Sequence, residues 1–191
     1  WRGLVPINER AARYFAAGFE FHPNSLVLYV SLCSIYLMPV VAWRWRTIYG
    51  RWRLWVATMV VCWTYWLFPV EASQVAVREG LSTVGLFHRM LAAFESQVIA
   101  QAVFFAGFVL GLPVVFAVIA DLGSRARRRQ FDDAWFLDLV VICFLSIMPW
   151  SYLHWEKYFM PLVPVLLARM LMMQDVAITL GHDQETQQAE G

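Results

Sequence analysis

The sequence predicts an all-α fold, a polytopic membrane helix bundle of about five transmembrane helices with amphipathic surface helices on its outer face. Three observations predict it. Of 191 residues, 60% are hydrophobic, 16% aromatic and 15% charged, against roughly 45–50% apolar and 25% charged in soluble domains; the mean hydropathy is +0.55. The apolar residues gather into five runs, each near the ~20 residues that carry a helix across ~30 Å of hydrocarbon. The arginines concentrate in two short connections. There positive charge stays on the cytoplasmic side and interleaved indole rings sit at headgroup level. With that placement and a net charge of +1, nucleic acid is not a predicted partner.

Residues 1–24 form an outer-face segment in which Asn8 caps a predicted surface helix through Glu9–Phe19, its apolar face made by Ala11, Tyr14, Phe15 and Phe19. The chain starts at Trp1 in polar sequence without a signal peptide, and so reads as the later part of a longer protein. The first span is predicted over 26–43, with Pro39 kinking it near its exit. Arg44, Arg46, Arg51 and Arg53 alternate with Trp45, Trp52 and Trp55 in the first inside turn. The second span, 54–70, returns outward past Pro69.

The outer loop 71–97 carries Phe87, Met90, Leu91 and Phe94 at helical spacing, which predicts an interfacial helix over 84–96. The third span, 98–120, contains Pro113 and Gly107-x-x-x-Gly111, a spacing that lets two helices approach closely. Arg125, Arg127, Arg128 and Arg129 make the second inside turn. The fourth span, 134–149, has Asp138 near its inner end. The fifth, 158–173, has Pro161 and Pro164 in its first turn, where proline costs no hydrogen bond. The polar tail 174–191 is predicted to be disordered and cytoplasmic. Cys33, Cys62 and Cys143 all lie within apolar runs and form no CxxC pair, so they are predicted to pack helices and not to build disulfides or zinc sites.

This topology collects 1–24, 71–97 and 150–159 on one outer face. The densest stretch, Trp150 to Pro164, holds His154, Glu156, Tyr158 and the chain's only lysine, Lys157. A lysine at a helix N-terminus attracts an anion together with the free backbone N–H groups, and a lipid-carrier phosphate is the anion at that depth. Interfacial anchoring by Trp, Tyr and Lys is the alternative. The predicted phosphate- and substrate-binding set is Lys157, Tyr158, His154 and Glu156, with Arg78 and Arg89 from the outer loop. Glu71, Glu79 and Glu95 are carboxylates of the kind that serve glycosyl chemistry, but their spacing fixes no pair and no catalytic residue is assigned. His22, His88 and His154 are not at ligand spacing, so no metal is predicted. No cofactor is predicted either, since there is no Gly-x-Ser-x-Gly, His-Glu-x-x-His or phosphate-cradling Gly-rich loop.

Two motifs carry a family resemblance. Trp1-Arg-Gly-Leu-Val-Pro6 is similar to the Trp-x-Gly-x-x-Pro that opens an outer segment in the GT-C class of membrane glycosyltransferases, which contains protein O-mannosyltransferases and lipid A aminoarabinose transferases. Trp155-Glu-Lys-Tyr158-Phe-Met-Pro161-Leu-Val-Pro164 resembles that class's late (His/Arg)-Tyr-x-x-Pro-x-x-Pro approach to a final helix. The resemblance runs from Trp1 to about Met173. It implies the C-terminal part of such an enzyme, in a bacterial inner membrane, using a polyprenyl-phosphate-linked sugar donor on the periplasmic or lumenal face. Lys157 and Tyr158 would lie near the donor phosphate. The family's catalytic acid belongs to an early outer loop that has no matching stretch here. Relatives often place arginine before the tyrosine; Lys157 supplies a point charge without the bidentate fork. The reading from another class is a non-enzymatic multi-pass protein, a transporter portion or a structural subunit with membrane-protein partners. The polar residues noted within the spans (Ser31, Ser34, Thr58, Thr64, Ser146) are few for an ion pathway.

Overall fold

The computed structural model describes residues 21–70, 96–150 and 158–172, and every regular element among them is helical. In chain order these are α1 (Pro23–Tyr36), α2 (Met38–Trp43), α3 (Trp45–Tyr49), α4 (Trp52–Val61), α5 (Thr64–Leu67), α6 (Gln97–Arg127), α7 (Asp133–Ile147) and α8 (Leu162–Met172). A 3-10 turn over Met148–Trp150 extends α7. Two helices, Val98–Arg127 and Asp133–Trp150, are long and apolar enough to cross a membrane.

The other predicted spans are interrupted, each for a local reason. The first breaks at Leu37, because Pro39 has no N–H to donate back to Ile35 and its ring crowds that carbonyl. Together α1 and α2 still supply about 30 Å of helix at ~1.5 Å per residue. The second breaks at Cys62–Trp63. The Thr64 hydroxyl donates to the Val61 carbonyl at 2.7 Å there, and such local bonds compete with the helix ladder. The fifth starts late. Leu162 N–H donates to Phe159 O at 2.9 Å and Val163 N–H to Met160 O at 3.2 Å, so the chain is still turning until Pro161. The 11 residues of α8 then reach only about 16 Å, short of a full crossing. The second arginine turn is also tighter than predicted, since Arg125 and Arg127 belong to the last turn of α6. That helix ends with Arg129 at φ 56°. Gln130 N–H donates to Arg125 O at 2.9 Å and Arg129 N–H to Ala126 O at 3.1 Å, the paired bonds of a Schellman cap.

α6 is the axis of the assembly, packing against α1, α3, α4 and α7. Its closest partner is α1, and the two glycines explain the approach. A Cβ on Gly111 would stand 2.0 Å from the Val30 carbonyl oxygen, and one on Gly107 would stand 2.8 Å from Ile35 Cδ1. Hydroxyls stitch the same seam: Ser31 Oγ donates to Phe104 O at 3.0 Å and Ser34 Oγ to Gly107 O at 2.7 Å. Small residues with short hydroxyl bridges are how helices bind each other where no water drives them together. Pro113 lies within α6 and cannot donate to the Val109 carbonyl; one residue on, Tyr49 Oη donates to the Leu110 carbonyl at 2.7 Å.

The exterior is apolar over long stretches. Val56, Met59, Val60, Trp63, Trp66 and Leu67 on α4, α5 and the break between them are all exposed, and only 28% of the α7 span is buried. Cys143 is exposed as well. It therefore packs no helix here, unlike the buried Cys33 and Cys62.

The two arginine turns share one end, where Arg51 meets Asp121 and Arg44 Nη2 donates to Leu171 O at 3.4 Å. At the other end His22 N–H donates to Pro149 O at 2.6 Å, and Phe21 meets Trp150 with ring centroids 5.1 Å apart. Gln101 there bridges Tyr65 Oη and Val70 O, at 2.6 Å each.

Candidate functional site

Of the predicted phosphate-binding set, Tyr158 is described and is half-buried in the turn before α8. His154, Glu156, Lys157, Arg78 and Arg89 lie outside the described residues. So do both predicted surface helices, Glu71, Glu79, Glu95 and the tail. The neighbour of Tyr158 shows where this turn sits. Phe159 is fully buried, with its ring 6.2 Å from Tyr29, 6.0 Å from Tyr36 and 6.4 Å from Phe144. Tyr29 and Phe144 lie about 8–9 Å along their helices from Pro23 and Pro149, which mark the end opposite the arginines. Phe159 therefore inserts its ring between α1 and α7, while Met160 and Pro161 of the same turn stay exposed.

At the arginine end the structure builds a site that the sequence reading did not assemble. Arg169 on α8 and Asp138 on α7 are both fully buried. Arg169 Nε donates to Asp138 Oδ1 at 2.5 Å, and its Nη2 donates to Asp121 Oδ2, on α6, at 2.8 Å. The other oxygen of Asp121 accepts from Arg51 Nη1, just ahead of α4, at 3.4 Å. Beside this chain of charges Arg125 pairs with Asp132. Asp132 caps α7 by accepting from Trp135 N–H at 2.9 Å. That backbone bond, followed by the Arg125 charge, holds the Asp132 carboxyl below the usual carboxylate range.

Burying an ion costs several kcal/mol even after relaxation, so such a pair persists only where the partners are close and well hydrogen-bonded. The guanidinium satisfies this by forking between two carboxylates. The satisfaction is incomplete, because Arg169 Nη1 and Asp138 Oδ2 are buried with no hydrogen-bond partner. Next to them opens a cleft of about 990 Å³, lined among others by Arg51, Asp121, Arg125, Arg128, Asp133 and Arg169. A partly closed cleft with several guanidinium groups on its wall can hold an anion by paired, charge-assisted hydrogen bonds.

Of this pair, Asp138 stands out in the sequence near the inner end of its apolar run, and Arg169 is the residue the sequence analysis misses. A single arginine inside an apolar run is itself the signal, since such a residue faces the protein interior and takes an acidic partner.

No protein-family model matches the chain, and neither a curated protein nor a solved structure matches it.

Proposed function

We propose that this chain is part of an integral, multi-pass membrane glycosyltransferase. It would take sugar from a polyprenyl-phosphate donor on the face opposite the arginine turns. The multi-pass reading is supported by the five apolar runs, by an exterior of large apolar side chains that acyl chains would solvate, and by both arginine-dense turns lying at one end. The glycosyltransferase reading is supported by the Trp1–Pro6 and Trp155–Pro164 motifs. The observation that carries it furthest is the insertion of Phe159. Non-helical backbone at membrane depth is tolerated where it is enclosed by protein or lines a cavity, and here fully buried Phe159 anchors a turn between half-buried Tyr158 and the exposed Met160 and Pro161. A turn held at that depth, with Lys157 just ahead of it, is suited to bring a lipid-borne phosphate against the bundle.

The test is transfer from a polyprenyl-phosphate sugar by protein reconstituted in liposomes, comparing wild type with Lys157→Ala. Loss of a charge-assisted hydrogen bond to phosphate is worth ~1.5–3 kcal/mol, roughly a 10- to 100-fold fall in kcat/KM. An unchanged rate removes Lys157 from the donor site.

The buried Arg169–Asp138 pair favours a second reading, a non-enzymatic multi-pass protein, because ionisable pairs at membrane depth also mark transport routes and helix assembly. Wild-type protein that transfers no sugar from any polyprenyl-phosphate donor, yet loses a transport or assembly phenotype on Asp138→Asn, would select that reading.

A further inference from the structure

We propose that the cleft at the arginine end is a binding site for a phosphate-type anion, separate from the donor site and at the opposite end of the bundle. Its wall carries four arginines (Arg51, Arg125, Arg128, Arg169) and three aspartates (Asp121, Asp132, Asp133); with Asp138 behind Arg169 the charges balance, so what the cleft offers an anion is its uncommitted guanidinium donors. The aspartates are mostly committed: Asp121 accepts from Arg51 and Arg169, and Asp132 accepts from Arg125 and from the first turn of α7. Asp133 is the one of the three without an ion pair among the described residues. The uncommitted donors are the exposed side chain of Arg128, the remaining N–H groups of Arg125, and Nη1 of Arg169.

That last atom points to a ligand and not to a merely solvated charge cluster. Arg169 is fully buried. Its Nε and Nη2 are held by Asp138 and Asp121, while its Nη1 has no partner. A buried guanidinium donor left unpaired is costly; Arg169 belongs to the wall of the cleft, so an oxyanion entering it would supply the missing acceptor. With Arg169 pinned by its two carboxylates, its third donor is preorganised, so binding costs little side-chain entropy. A phosphate presents several acceptor oxygens and can bridge the Arg169 floor to Arg125 and Arg128 on the rim.

The phosphate can come from a lipid headgroup, since the first arginine turn at this end carries exposed tryptophans of the kind that sit at headgroup level (Trp43, Trp45 and Trp52), or from a soluble phosphate ester. The experiment separates the sources. Full-length protein is placed in phosphatidylcholine nanodiscs with and without phosphatidic acid, and in neutral nanodiscs titrated with inorganic phosphate. Thermal unfolding reports binding. The variants are Arg128→Gln, at an exposed helix cap where folding is spared, and Arg53→Gln, an exposed arginine of the same end that does not line the cleft. Stabilisation by phosphatidic acid that weakens roughly ten-fold in apparent affinity in Arg128→Gln and is unchanged in Arg53→Gln supports the site with a lipid ligand. The same pattern with inorganic phosphate supports it with a soluble one. Absence of stabilisation by either anion, or equal weakening in both variants, overturns the proposal.

Discussion

Arg169 and Asp138 form an ion pair at 2.5 Å in which neither side chain reaches solvent. The pair joins the last two helices near the C-terminal end of α8. With 11 residues, α8 buries a short apolar face, and its lower turn would otherwise be free to slide along α7. The Arg169 guanidinium fixes that register by gripping α7 through Asp138 and α6 through Asp121. Arg51 extends the grip to α4 through the second oxygen of Asp121. One charged group thereby ties together the inner ends of four helical segments.

The pair should behave asymmetrically under mutation. Arg169→Met leaves Asp138 buried without its partner, and Asp138→Leu strands the guanidinium. Each single change is expected to destabilise the protein by ~3–5 kcal/mol. The double variant, with both groups apolar, is expected to recover most of that loss, because the desolvation cost disappears along with the attraction. Unfolding in detergent, followed by thermal or denaturant melts, measures it. A double variant as unstable as the two losses added together would mean that the pair is not a coupled unit.

The α1–α6 seam makes a graded prediction. At Gly111 the obstacle to a methyl group is the Val30 backbone carbonyl at 2.0 Å, which cannot swing aside. At Gly107 the nearest atom is the end of the Ile35 side chain at 2.8 Å, which can change rotamer, with the Ser31 carbonyl behind it at 3.2 Å. Gly111→Ala is therefore expected to cost about 1–3 kcal/mol or more through forced separation of the helices, and Gly107→Ala distinctly less. For a chain of this size a 1 kcal/mol loss lowers the Tm by about 2–4 °C. Equal shifts in the two variants would count against the backbone contact at Val30.

The seam was legible in the sequence because it rests on local chemistry: two glycines four residues apart on one apolar helix, facing a partner with serines. The helix breaks at Leu37 and Cys62–Trp63 were half legible, the first through Pro39 and the second not at all, since threonine hydroxyls interrupt a helix only in some contexts. The charge cluster was legible in principle. Asp121 closes the third apolar run, Asp138 stands four residues into the fourth, and Arg169 stands four residues before the end of the fifth. With alternating spans Asp138 and Arg169 share one depth, and Asp121 lies about a turn nearer the arginine end, within reach of a long guanidinium side chain. The inward course of Phe159 was not legible, because nothing in a Tyr-Phe-Met-Pro string says whether its phenylalanine meets lipid, water or a pocket between α1 and α7. The packing of Tyr29, Tyr36 and Phe144 decides that, and those residues are more than a hundred positions away or on another helix.

The topology on which the proposed donor site depends can be tested without any enzymatic assay. With Cys33, Cys62 and Cys143 replaced by serine or alanine, single cysteines are introduced at Arg127 and at Lys157. They are then probed with a membrane-impermeant maleimide in sealed, right-side-out vesicles. Arg127 is exposed in the last turn of α6, on the end shared by both arginine-dense turns, and is expected to react only after the membrane is opened. A cysteine at 157 is expected to react from outside, because one apolar run of helix, α7 with its terminal turn, separates the two positions. Labelling of both from the same side would mean that α7 does not cross. Lys157 could then not meet a donor on the face opposite the arginines, and the glycosyltransferase reading would fall while the fold described here stood.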